Sequence, residues 1–122
     1  MAYDMTLESG IIRVVLTVAV TPEDLTGIMR DADAIEKDMD PVLPRITTMP
    51  AGTDIQVGYK EVKAFAWHRR EIRFPNVFRS ALVVSAPVQR GIARMFQTLN
   101  DNPQIVIEIF DDEAAALAWL RA

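Results

Sequence analysis

Residues 80–110 read SALVVSAPVQRGIARMFQTLNDNPQIVIEIF. Ser80 to Ser85 predicts a strand, and Ala81 to Val84 make it apolar on both faces, as in a central strand covered on either side. Pro87 suits a first helical position. Val88, Ile92, Met95, Phe96 and Leu99 then recur at helical spacing as a buried stripe. Asn100-Asp101-Asn102-Pro103 breaks that helix, and Ile105 to Phe110 returns to a strand interrupted only by Glu108. Strand, helix and strand in direct succession predict parallel pairing through a right-handed crossover.

The same alternation extends both ways along the chain. Downstream, Asp111 is placed to cap a last helix, with Asp112 and Glu113 in its first turn and Leu117, Trp119 and Leu120 near its end. Trp119 is expected to clamp that helix to the sheet. Upstream, Arg45 to Met49 predicts a short strand ended by Pro50-Ala51-Gly52. Thr53 or Asp54 is placed to cap a second helix reaching about Ile72, with Ile55, Tyr59, Val62, Phe65, Ala66 and Ile72 on its inner side. Thr21-Pro22-Glu23-Asp24 starts the first helix, and Leu25, Ile28, Met29, Ala32 and Ile35 line it. It should end before Asp40-Pro41, and Pro41 to Pro44 form a stiff connector. Ile11 to Val20 alternates as a strand, with Ile12, Val14, Leu16, Val18 and Val20 on one face. Tyr3 to Glu8 alternates too, and Ser9-Gly10 joins the two as a hairpin. The expected order is ββαβαβαβα: one α/β domain over residues 1–122, with a mostly parallel sheet of four to five strands.

Composition narrows the chemistry. The 122 residues are half apolar and a quarter charged, as in a globular protein. Absence of cysteine excludes disulfides, thiolate metal sites and cysteine catalysis. A net charge of −4 argues against bulk nucleic-acid binding. No apolar run approaches a membrane span, and Met1 to Gly10 lacks a signal-peptide pattern, so a cytoplasmic location is expected. Gly52 and Gly58 do not have the spacing of a phosphate-binding loop, and Tyr59-Lys60 does not complete one. Asp31 and Asp33 begin like a calcium loop, but Ile35 and Glu36 stand where a ligand and a glycine are needed. His68, the one histidine, is followed by Arg69 and Arg70, which would repel a metal cation; it reads as a surface histidine. Neither a catalytic group nor a cofactor is indicated.

Charge is unevenly spread. Residues 59–94 hold eight bases and two acids, while the rest of the chain holds five bases and fifteen acids. Within the basic block, Lys60, Lys63, Trp67 and Arg70 fall within about 80° of one another on a helical wheel, away from the apolar stripe. The plainer reading is that Trp67 packs over a neighbour or stacks with those cations. The sharper reading is a partner-binding surface with an aromatic anchor and a cationic rim. A second candidate region is the carboxyl edge of the parallel strands, where Thr21, Gly52, Thr53 and Ser85 open helices that could face an anionic ligand. Capping alone also explains these four residues.

Several passages together resemble the SpoIIAA-like (STAS-like) family. They are Ala81-Leu82-Val83-Val84-Ser85-Ala86-Pro87, Gly91-Ile92-Ala93-Arg94-Met95-Phe96, Val106 to Phe110 with Asp111-Asp112-Glu113, and Ala118-Trp119-Leu120. The start at Thr21-Pro22-Glu23-Asp24 fits as well, and residues 79–121 carry the likeness most specifically. The resemblance implies a small α/β domain with helices mainly on one face of a mostly parallel sheet. Related anti-sigma-factor antagonists carry a phosphorylatable serine at the start of the second helix, where this chain has Pro50-Ala51-Gly52-Thr53-Asp54. Thr53 offers the one hydroxyl there, and Thr48 occupies the usual aspartate position, so phosphorylation is not expected to be the main switch.

The expectation is therefore a non-enzymatic cytoplasmic bacterial domain, a protein-interaction or regulatory module whose partner is an acidic protein or a second copy of itself, with no membrane insertion and no nucleic acid. The alternative is a module for an apolar or anionic small molecule, such as a lipid or nucleotide. That reading requires an enclosed pocket of several hundred Å³. The interaction reading requires a contiguous exposed patch.

Overall fold

The computed structural model describes residues 3–122. Strands β1 (Tyr3–Glu8) and β2 (Ile11–Leu16) form an antiparallel hairpin, turned by Ser9 and Gly10 at φ +51° and +76°. Then come β3 (Ala19–Val20), α1 (Pro22–Glu36), β4 (Arg45–Thr48), β5 (Asp54–Ile55), α2 (Tyr59–Arg70), β6 (Phe78–Val83), α3 (Pro87–Leu99), β7 (Ile105–Phe110) and α4 (Glu113–Leu120). The main sheet runs β1-β2-β4-β6-β7, parallel except for the hairpin. A separate parallel pair joins β3 to β5.

This order explains where the helices lie. Each crossover, from β2 to β4, from β4 to β6 and from β6 to β7, steps one strand in the same direction. Crossovers of one hand stepping one way deliver their helices to one face. That face is the main core, where Val14, Leu16, Met49, Leu82 and Val84 meet Leu25, Ile28, Val62 and Ile92. Phe65 of α2 meets Phe96 of α3 edge-on at 5.3 Å, which joins those helices to each other. No crossover remains after β7, so α4 is free to cover the opposite face. It seats Ala116 and Leu120 on Ile11, Ile46, Ala81 and Val83.

Local chemistry agrees with the expected helix starts in part. Thr21 caps α1 reciprocally: its hydroxyl accepts from the Asp24 amide at 3.1 Å, and its own amide donates to Asp24 Oδ2 at 3.0 Å. Asp112, rather than Asp111, caps α4 by accepting from Ala114 N at 2.7 Å. The second helix starts later than expected, at Tyr59, and Thr53 and Asp54 cap nothing. Asp54 and Ile55 instead form β5, in which the Asp54 amide donates to Val18 O at 3.0 Å and the amide of the following Gln56 donates to Val20 O at 2.8 Å. The long strand expected over 11–20 divides at Thr17-Val18 to make that pairing, which leaves Val18 67 % exposed.

Candidate functional site

The carboxyl edge places Thr21, Gly52, Thr53 and Ser85 in loops that the fold itself ties together. Thr21 is occupied with its own helix. Gly52 sits at φ +89°, a left-handed turn that favours glycine. Thr53 is buried, and its hydroxyl donates to Leu16 O at 2.8 Å. Ser85 Oγ donates to Met49 O at 3.1 Å. Between them lies Gln89, 1 % exposed, whose amide nitrogen donates to Pro50 O at 3.0 Å and whose amide oxygen accepts from Ser85 N at 2.7 Å. The polar groups of this edge therefore serve to lock three loops. Sequence periodicity assigned the inward position to Val88, which is 60 % exposed; the first turn of α3 turns Gln89 inward instead.

The outer face of α2 has a different character. Glu61 turns back to the helix start and accepts from the Gly58 amide at 2.8 Å, which leaves the opposite side to Lys60, Lys63, Trp67 and Arg70. Trp67 is 54 % exposed, and Tyr59, expected on the inner stripe, is exposed too, at the first position of the helix. The Arg70 guanidinium lies 3.6 Å from the centre of the Trp67 ring, a stacked cation and indole. Arg70 also pairs with Glu71 at 3.0 Å and with Asp101 at 3.7 Å. Lys63 leans over Tyr59 at 5.7 Å. Lys63, Trp67 and Arg70 form one wall of a groove of about 240 Å³, and the end of α3, Thr98 to Asp101, forms the other. Three of the four residues read from the wheel, Lys63, Trp67 and Arg70, line this groove, and Lys60 does not. The wheel could not show the groove, because α3 supplies half of it.

Two buried features had no signature in the sequence. Glu36, at the end of α1, holds Arg45 of β4 and Arg69 of α2 inside the molecule, with Arg69 Nη1 at 2.8 Å from Glu36 Oε1. Burial pushes Arg45 down to about 10 even though Glu36 acts the other way. Asp33 sits at the outer end of this cluster, 3.4 Å from Arg69 and 2.6 Å from His68 Nε2, so the half-exposed histidine is tied to α1. The second feature is an interior cavity of about 90 Å³ between the sheet and the helices. That volume is well short of the roughly 300–1,000 Å³ of sites for drug-sized ligands.

A mostly parallel sheet opened by a hairpin, with three helices on one face and a fourth on the other, defines the SpoIIAA-like α/β class, and this chain has that fold. A crystal structure of an uncharacterized protein from the DUF3478 family, described as having a SpoIIAA-like fold and coming from Shewanella loihica PV-4, superposes with a TM-score of 0.61. The two are 13 % identical, over 98 % of this chain and 92 % of that one. No family model matches the sequence, and no curated protein matches it. Among the described residues, no helix is long and apolar enough to cross a membrane.

Proposed function

We propose that this protein is a non-enzymatic, cytoplasmic interaction domain that docks an acidic segment of a partner protein in the groove between α2 and α3. The exposed Trp67 carries the reading. A large aromatic ring left in water beside a groove is uncommon, and tryptophan and arginine are the residues most enriched where binding energy concentrates. Arg70 stacks on one face of the ring, the local stacking that the plainer reading expected, and Trp67 still remains 54 % exposed. Lys60 and Lys63 supply attraction for carboxylates, and the acidic balance of the rest of the chain keeps non-specific anions from being the default partner. The small interior volume favours this surface over a lipid-sized or nucleotide-sized ligand. The chain's residue types support a non-catalytic role: there is no cysteine, and the one histidine is engaged with Asp33. Burial of Thr53 and its bond to Leu16 support a role that does not turn on phosphorylation there.

A synthetic peptide rich in Asp and Glu with one or two apolar residues provides the test, followed by NMR of the labelled protein. The expected result is a saturable shift of the Trp67 indole N–H and of Leu99 that fades with salt, since exposed charges are screened beyond about 8 Å at physiological ionic strength. Trp67→Ala with Lys63→Glu should abolish it. Equal shifts in that double variant would overturn the reading. So would salt-sensitive dimerisation of the protein alone through this face, seen by sedimentation, because the groove would then be filled by a second copy.

A further inference from the structure

The interior cavity has an apolar body and a cationic end. Leu16, Ile28, Phe65, Leu82, Phe96 and Ile107 make most of its wall. Arg45, Arg69, Thr47 and Ser80 line it as well. The two guanidiniums have one fully buried carboxylate between them, and both oxygens of Glu36 are already engaged. The second carboxylate, Asp33, lies at the half-exposed outer end and is shared with His68. Arg45 Nε is buried and has no hydrogen-bond partner. Native structures rarely leave a buried N–H donor of a charged group unpaired, and here the donor belongs to a side chain at the wall of a cavity. Burial, and after it the neighbouring Arg69 charge, lower the pKa of Arg45 although Glu36 acts the other way.

We propose that this cavity is a binding site for a short-chain carboxylate. The anion would accept from Arg45 Nε and from the Ser80 hydroxyl, and its hydrocarbon end would lie among Leu82, Phe65 and Phe96. Size sets the class. A cavity of about 150 Å³ lined by apolar side chains accommodates benzene, so about 90 Å³ limits the ligand to a molecule smaller than benzene, of the size of acetate or propionate, and excludes a fatty acyl chain. Ala66 and Asn100 line both this cavity and the groove beside Trp67, which makes the seam between α2 and α3 the natural entrance. The site does not depend on the partner-docking reading, because it uses the inner side of α2 rather than the outer one.

Propionate, propionamide and octanoate are the probes, and the Arg45 Nε–H resonance of the intact, isotope-labelled protein is the readout. Propionate should shift that resonance saturably in the millimolar range, the range expected of so few heavy atoms. Propionamide, isosteric and neutral, should bind at least about ten-fold more weakly, and octanoate should leave the resonance unmoved. Arg45 variants risk unfolding, so Ala66→Leu serves as the second variant: it fills the wall from a residue that is not itself a member of the ion cluster and should abolish the response. Ser80→Val should weaken it. Equal binding of propionate and propionamide, no saturable shift with propionate, or a response unchanged in Ala66→Leu would each overturn the proposal.

Discussion

Trp119 shows what a single side chain contributes here. Its ring lies 5.6 Å from Phe110 and under the Arg79 guanidinium at 5.2 Å, and Arg79 Nη1 donates to the Trp119 carbonyl at 2.5 Å. The ring thus clamps α4 to the sheet, as its neighbours Leu117 and Leu120 predict, although part of it remains in contact with water. Trp119→Ala should cost about 2–3 kcal/mol in urea unfolding, below the roughly 3–5 kcal/mol of a fully buried ring. A loss under about 1 kcal/mol would mean that α4 is held without it, on the same scale. Other residues were less legible. Glutamine at position 89 carries no apolar signal, and its burial follows from two loop groups, Pro50 O and Ser85 N, that only the folded chain brings within reach. Glu36, Arg45 and Arg69 are likewise far apart in sequence, and each alone reads as a solvated charge.

At the scale of elements, alternation and capping placed the main-sheet strands and the four helices, because each carries its own periodic pattern or terminal residues. They failed where pairing is non-local. The pair β3–β5 is two residues long on each side and has no periodicity to find; its existence moved the start of α2 from Thr53 to Tyr59. The hairpin gives an independent check on how its edge strand is held. Tyr3, at the start of β1, donates its phenol proton to Asp31 of α1 at 2.5 Å. Burial first, and then that bond, pushes its pKa from 10.0 up to about 12. The folded chain therefore keeps a proton that the unfolded chain loses, so this contribution to stability is complete below pH 10 and is lost as the pH rises from 10 to 12. Arg45 acts with the opposite sign in alkali, since its pKa is lowered by folding. Comparison of wild type with Tyr3→Phe cancels that second effect. The difference in unfolding midpoint between them should shrink steadily above pH 10, and a constant difference would show that Tyr3 does not hold its proton in the fold.

For the molecule as a whole, the strand order sets where the groove lies. Uniform crossovers put α1, α2 and α3 side by side, so the groove between α2 and α3 is a product of topology, while the charges on its wall are a product of local sequence. Three of the residues on that wall, Lys63, Trp67 and Arg70, were legible from helical spacing alone; the α3 side and the stacked geometry of Arg70 were not. The central claim is that this groove receives an acidic partner. A photo-activated cross-linker in place of Thr98, on the α3 wall, tests it in the cells that make the protein. One discrete adduct is predicted, joined through an Asp- and Glu-rich segment of another protein, and lost when Trp67→Ala and Lys63→Glu are added. An adduct that persists in that variant, or one formed only with a second copy of this chain, would contradict it.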